Sequence, residues 1–357
     1  MTALYPLYIN GRFVTQSLSG VQRFATELSR ALLALEGAGA RMVVPVAGAQ
    51  LWPGARETGR LHGQAWEQWE LPRQARDGVL LNLGNTAPLL AHRQVLVIHD
   101  AGVYSTPEAY SWKFRSWYKA IQAAVIRRGV PIVTVSEFSR TEIIRHLPVQ
   151  VGQVNTMAEG ADHVQRIVPD PATLDQFGLE RGRYVLAVGN LAAHKNLPAL
   201  ALLAERLCFQ GMRLVVAGNV LGGAFSAAGA QQLPAAAYYI GRVTDSQLKA
   251  LYEAACCFVF PSRYEGFGLP AVEAMASGCP VVAADIPALH ETCGEAALYC
   301  DPAWPDDIAA QVLLVCNDTA LQSRLRAAGR QRVASMTWQR AALALQDIVS
   351  SHYGVRT

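Results

Sequence analysis

Two glutamates, a lysine and a histidine stand where apolar runs of this chain give way to polar, glycine-bearing turns. Glu265 and Glu273 are separated by seven residues inside the stretch Phe258–Pro280. Phe258-Val-Phe reads as the end of an interior strand stopped by Pro261. Gly266 and Gly268 leave backbone N–H groups uncovered, and Pro270 suits the first turn of a helix. Leu269, Val272, Met275 and Ala276 repeat at helical spacing, until Gly278 and Pro280 end the helix. A strand, an open turn and a helix N-terminus in succession hold phosphate through free N–H groups and the positive end of the helix dipole. Carboxylates there would repel an anion unless they face hydroxyls. One acid before the turn and one after it therefore suggest a phosphate flanked by two polyols, the layout of a nucleotide sugar. The plainer alternative makes Glu265 a solvated turn residue and Glu273 a partner of the helix dipole.

Three further positions fit the same chemistry, each with a bland alternative. Lys195, in Gly189-Asn-Leu-Ala-Ala-His-Lys, follows a strand and precedes a helix; it could neutralise a diphosphate as a point charge, or be a solvated loop lysine. Gly20 opens a helix and would let backbone approach a phosphate, or is a simple turn glycine. His99 follows the strand Val95–Ile98, at the edge where parallel sheets carry their sites, or pairs structurally with Asp100 or backbone. Gly266-Phe-Gly-Leu-Pro-Ala also matches a loose dinucleotide fingerprint, but its place late in the chain argues against an NAD domain. There is no Asp-x-Asp and no His/Cys cluster with metal spacing, so Lys, Arg and helix termini must neutralise any diphosphate.

The elements that must position these residues alternate strand and helix. Strands are expected at Leu7–Ile9, Met42–Val46, Val79–Leu83, Val95–Ile98 and Ile132–Val135, with helices from Gly20, over 112–128 and over 137–146. The Trp66/Trp69 region is weakly patterned. Residues 161–183 are rich in Pro, Gly and Asp, as a seam between domains would be. Alternation then restarts, with strands at 184–188, 213–217, 237–240, 256–260, 281–283 and 297–299. Helices are expected at 197–209, 246–254, 288–292, 305–315 and 320–334, and a last one from Trp338. The pattern predicts two doubly wound α/β domains with the ligand in the cleft between them.

Composition agrees with a globular protein. The 357 residues allow about two domains, 51% are hydrophobic and 17% charged. A net charge of +3 does not argue for nucleic acid. Residues 1–170 hold 17 basic against 13 acidic side chains (+4) and the remainder 14 against 15 (−1). Seven cysteines without a CxxC pattern suggest reduced thiols in the cytoplasm. The opening residues MTALYPLYIN lack the basic and apolar regions of a signal peptide, and no apolar run approaches a bilayer span.

Taken together, these residues resemble the family-4 glycosyltransferases of the GT-B fold over nearly the whole chain. The resemblance is carried by Glu265-x7-Glu273 in Ser-Arg-Tyr-Glu-Gly-Phe-Gly-Leu-Pro, by Val-Gly-Asn-Leu with Lys195, and by Ile240-Gly-Arg-Val-Thr-Asp245. Val135-Ser-Glu-Phe-Ser139 and His99-Asp100 support it. It implies two Rossmann-like domains facing each other across a cleft: 1–168 for the acceptor, 169–336 for the nucleotide sugar, and 337–357 as a helix crossing back to the first. It further implies catalytic roles for His99, Glu265 and Lys195. The donor would be bound by Gly20, Lys195, Arg242, Glu265, Phe267, Gly268, Leu269 and Glu273. Glu273 would hold the ribose hydroxyls, Glu265 and His99 would lie at the transferred sugar, and Lys195 and Gly20 at the diphosphate. The family retains anomeric configuration and needs no metal or other cofactor. Asn190 departs from the family's usual Arg, which loosens the expected clamp; Arg242 or Arg263 could compensate.

These implications lead to a hexosyltransferase of bacterial surface polysaccharide synthesis. Its donor is expected to be GDP-mannose, or otherwise a UDP-hexose. A nucleotide-sugar epimerase and a silent nucleotide-binding partner are the competing readings. The acceptor would be a glycan or polyprenyl-diphosphate-linked sugar. In the helix 112–128, Phe114, Trp117, Tyr118, Ile121 and Val125 share one face, with Trp112, Arg115, Lys119 and Arg127 around the other. That pattern fits either a core stripe with a solvated basic back or a surface touching anionic lipid at the inner face of the membrane.

Overall fold

The computed structural model describes residues 5–36, 39–218 and 234–354. The outermost residues of the expected first and last segments, 1–4 and 355–357, lie outside them. The chain divides into two compact units: Met1–Ala101, Arg115–Gly160 and Thr337–Thr357 form one, Gly102–Phe114 and Ala161–Met336 the other.

The first unit is built on seven strands: β1 (Leu7–Asn10), β2 (Arg41–Val44), β3 (Arg56–Glu57), β4 (Val79–Asn82), β5 (Gln94–Val97), β6 (Ile132–Thr134) and β7 (Val154–Thr156). They form one sheet in the order β3-β2-β1-β4-β5-β6-β7, and every pairing is parallel. β3 and β7 span two and three residues, too short to leave a periodic signature. The unassigned tryptophan region forms two short helices, Gly63–Trp69 and Leu71–Gln74. Trp66 is fully buried there and donates its Nε1–H to Thr58 O at 2.9 Å. The last helix, Trp338–Tyr353, packs along the helix Gly20–Ala34, where Trp338 meets the Phe24 ring edge-on at 5.7 Å.

The second unit carries β8 (Tyr184–Val188), β9 (Arg213–Ala217), β10 (Tyr238–Gly241), β11 (Cys257–Phe260), β12 (Val281–Ala284) and β13 (Ala297–Cys300). Their order, β10-β9-β8-β11-β12-β13, is again wholly parallel. Runs such as Tyr-Val-Leu-Ala-Val and Cys-Phe-Val-Phe are apolar throughout because helices cover both faces of such a sheet. The expected helix 197–209 begins as a 3-10 turn, Leu197–Leu200, around Pro198 and becomes α-helical at Ala201–Phe209.

The units part at Gly160/Ala161, not at 168/169. The 3-10 turn Asp162–Arg166 is fastened into the second unit, where Lys249 Nζ donates to Val164 O and Ile167 O at 3.1 and 2.7 Å. Among the cysteines Cys208 is exposed, and all seven are free thiols.

Candidate functional site

In an open parallel sheet, the point where strand order reverses leaves two neighbouring turns diverging, and ligands bind in the crevice so formed. In the second unit that point lies between β8 and β11. The turn after β8 carries Lys195, and the turn after β11 carries Glu265. Three bonds stitch them together. Lys195 Nζ donates to Glu265 Oε1 at 2.7 Å, Arg263 N donates to His194 O at 2.8 Å, and Asn196 Nδ2 donates to Pro261 O at 3.1 Å. Asn196 sits in the left-handed region, with φ 57°, a conformation asparagine tolerates better than most residues. The side chains of Lys195 and Glu265 are 17% and 11% exposed, so the pair is mostly covered yet reachable. Lys195 Nζ also stands 5.3 Å from the centre of the Phe260 ring.

Glycine is required at two places. A Cβ on Gly218 would come within 1.8 Å of Gly189 O, where the ends of β9 and β8 close together. Gly268 caps the helix Leu269–Ala276 with φ +96°, and a Cβ there would strike Leu289. Thr292 Oγ1 donates to Phe267 O at 2.7 Å and fixes this turn from behind. Glu273 rises from the second turn of that helix. Its Oε1 accepts from His163 Nε2 at 3.0 Å.

Asn190 forms a local turn in place of a cationic clamp: its Oδ1 accepts from Ala192 N at 3.2 Å. The neighbouring His194 is kept neutral. Burial first, and the charge of Lys195 second, press its pKa down to about 4, against a smaller opposing pull from Glu265. Its Nδ1 is buried without a hydrogen-bond partner among the described residues, as is Ser262 Oγ. Arg242 follows β10, two strands away from β8. The backbone bond from Arg263 to His194 sets Arg263 beside the Lys195 turn, so Arg263 is the nearer of the two arginines to it in the sheet order.

The first unit holds His99 and Gly20. Three of the four polar atoms of His99 are hydrogen-bonded within the unit, and the fourth faces a carboxylate. Its N donates to Asn85 Oδ1 at 2.8 Å, its O accepts from Thr134 Oγ1 at 3.4 Å, Nε2 lies 3.0 Å from Leu83 O, and Nδ1 faces Glu159 Oε1 at 3.6 Å. Because a carbonyl only accepts, Nε2 carries the proton. The ring stacks edge-on against Phe24 at 4.5 Å, one turn along the helix that Gly20 opens. A Cβ on Gly20 would meet open space, so nothing inside the unit demands glycine there.

The structure thus brings Lys195, Glu265, Phe267, Gly268, Leu269 and Glu273 to two adjoining turns of one sheet, and sets Arg242 apart. His163, Glu159, Asn85 and Asn196 were missed. The two asparagines have a signal, since Gly-Asn after a strand end and Lys-Asn before a helical start favour the left-handed turn. His163 and Glu159 have none, because their partners are remote in sequence.

The family described as glycosyl transferases group 1 matches residues 174–332. O-antigen chain mannosyltransferase B of Escherichia coli is 30% identical over 293 residues, covering 76% of this chain and 74% of that protein. O-antigen chain mannosyltransferase RfbU of Salmonella typhimurium is 27% identical over 264 residues, or 69% of each. Among solved structures, Anabaena Alr3699/HepE in complex with UDP-glucose superposes with a TM-score of 0.75 at 15% identity, over 98% of this chain and 100% of that one. WaaG, a glycosyltransferase involved in lipopolysaccharide biosynthesis, gives 0.68 at 14%, over 96% and 99%.

Proposed function

This chain belongs to the group 1 glycosyltransferases, built as two α/β units of the GT-B type, and we propose that it transfers mannose from GDP-mannose with retention of configuration and without a metal. The acceptor is a glycan or a polyprenyl-diphosphate-linked sugar of a bacterial surface polysaccharide. The observation supporting this most is the Lys195–Glu265 pair at the switch point, with Glu273 behind it on the helix capped by Gly268. The two mannosyltransferases named above favour mannose over the other hexoses.

In this reading, donor binding splits the ion pair. The diphosphate takes Lys195, and the released Glu265 carboxylate accepts from a hydroxyl of the hexose. Glu273 accepts from the ribose, while the uncovered N–H groups at Phe267–Leu269 and the helix dipole meet phosphate. The bond between C1 and the diphosphate oxygen breaks as the acceptor oxygen bonds to C1 on the same face. The departing diphosphate takes the acceptor proton. Both glutamates remain ionised positioners, unlike the acid and nucleophile of retaining glycosidases. In this reading His99, whose Nε2 is bonded to Leu83 O, moves no proton. A panel of GDP- and UDP-sugars in a thermal-shift assay, followed by NMR of the slowly hydrolysed donor, tests the reading. GDP-mannose should stabilise most and release α-mannose first; stabilisation by no nucleotide sugar would overturn it.

Membrane contact at the helix Trp112–Arg127 belongs to the same proposal. Ile121, Val125 and Ile126 are buried, whereas Trp112 and Trp117 are 70% and 43% exposed beside the exposed Lys113. Trp117 therefore lies outside the buried face on which it was expected. Two exposed tryptophans with a cation suit an anionic lipid interface. No helix among the described residues is long and apolar enough to cross a membrane. Sedimentation with anionic vesicles should be strong at low salt and weak at high salt; no binding at either would refute the contact.

A further inference from the structure

The carboxylate assigned to the ribose is held from one side only. Glu273 Oε1 accepts from His163 Nε2 at 3.0 Å, whereas Oε2 has no hydrogen-bond partner among the described residues. A carboxylate only accepts, so Nε2–H is the donor of this bond. His163 is 2% exposed and Glu273 is 13% exposed, so the anchored half faces inward while the carboxylate keeps some access. The nearby Tyr252 hydroxyl stays protonated, pushed well up by burial and then by the charge of Glu273, and brings no competing charge. The mount of His163 is itself fastened: the turn Asp162–Arg166 is tied by Lys249 to the helix Asp245–Ala254.

A glutamate on a helix surface swings about its broad terminal torsion, and ordering it on ligand binding opposes affinity. We propose that His163 is a positioning residue that fixes the Glu273 carboxylate before the donor arrives, leaving one oxygen aimed for a ribose hydroxyl. The proposal rests on the ribose role given to Glu273 above. It makes recognition of the sugar ring of the nucleotide depend on a residue at the boundary of the second unit, outside both turns of the switch point.

The test compares a nucleoside diphosphate with its 2′,3′-dideoxy counterpart by calorimetry, using GDP and, in parallel, UDP. The enzyme is taken as wild type, His163→Phe, His163→Gln and Glu273→Ala. His163→Phe keeps the ring shape and removes the donor; His163→Gln keeps an N–H at nearly the same reach. Wild type should prefer the ribose form. In His163→Phe that form should weaken about tenfold, the loss expected from unfixing one side chain. The dideoxy form should be unchanged, and His163→Gln should restore the preference. Equal weakening of both forms in His163→Phe would mean a merely structural role and overturn the proposal, as would an unchanged preference. If Glu273→Ala keeps the ribose preference, the ribose role of Glu273 falls on its own account. If Glu273→Ala loses it while His163→Phe keeps it, only the positioning role falls.

Discussion

Both sheets carry an ion pair at the point where their strand order reverses, and the two pairs are built differently. In the first unit Arg12, just after β1, donates its Nε–H to Glu67 at 3.1 Å and an Nη2–H to Thr86 Oγ1 at 2.9 Å. Glu67 also accepts from Asn10 Nδ2 at 2.7 Å and from Thr86 Oγ1 at 2.9 Å, and Asn10 reaches Asn82 at 3.0 Å. Its side chain is 1% exposed. This is a closed network in which each member has several partners. In the second unit Lys195 and Glu265 have a single bond to each other and more exposure. The same place in two similar sheets holds a closed network in one and a singly bonded pair in the other. The difference lies in how many other bonds hold each carboxylate.

The largest expected effect breaks the closed pair. Glu67→Ala leaves a mostly covered guanidinium without its buried carboxylate and should cost the first unit about 3 kcal/mol, read as a fall in denaturation midpoint. Glu265→Gln should cost the second unit less, because the more exposed Lys195 keeps contact with water. If both variants unfold alike, the contrast between the two switch points is wrong.

Next in size is the kinetic half of that contrast. Glu265→Gln should slow transfer roughly 100-fold, as misplacing a reacting group does. It should also tighten binding of the sugar-free nucleoside diphosphate, because Lys195 no longer has an internal partner. Unchanged diphosphate affinity by calorimetry would show that Glu265 does not compete for the lysine.

The smallest effect concerns His194. Its folded pKa, about 4, lies below its ordinary 6.5, so between these values the unfolded chain takes up a proton that the native turn refuses. Its share of stability is whole above pH 6.5 and is lost as pH falls towards 4. The midpoint difference between wild type and His194→Gln should therefore change across that window and be flat above it. A difference independent of pH would show that His194 is not held neutral.

Much of this was legible from residue order alone. Apolar runs marked β8, β9, β11 and β12, the first two ending directly at Gly189 and Gly218, because strands buried on both faces admit little else. The spacing of Glu265 and Glu273 around Gly266 and Gly268 marked the candidate turn for the same reason: only certain residue types can form it. What was illegible depended on contacts between distant positions. Trp66 and Glu67 sit on a short helix whose inward face is half polar, so its periodicity is weak. Lys195 bonded to Glu265, and His163 to Glu273, are pairings across 70 and 110 residues that no local pattern encodes. His99 looked available because its neighbours Asn85 and Glu159 lie far off in the chain.

The return of the last helix has a consequence for biosynthesis. Trp338 closes on Phe24, and Tyr353 both accepts from Gln94 N at 3.3 Å and donates to Gln94 O at 2.8 Å. The first unit therefore lacks one of its packed layers until residues near 353 have left the ribosome, although the second unit is by then fully translated. The unit begun first is finished last. A nascent chain halted before Trp338 leaves the Phe24 surface uncovered, and an isolated first unit needs residues 337–354 spliced to its end to cover it.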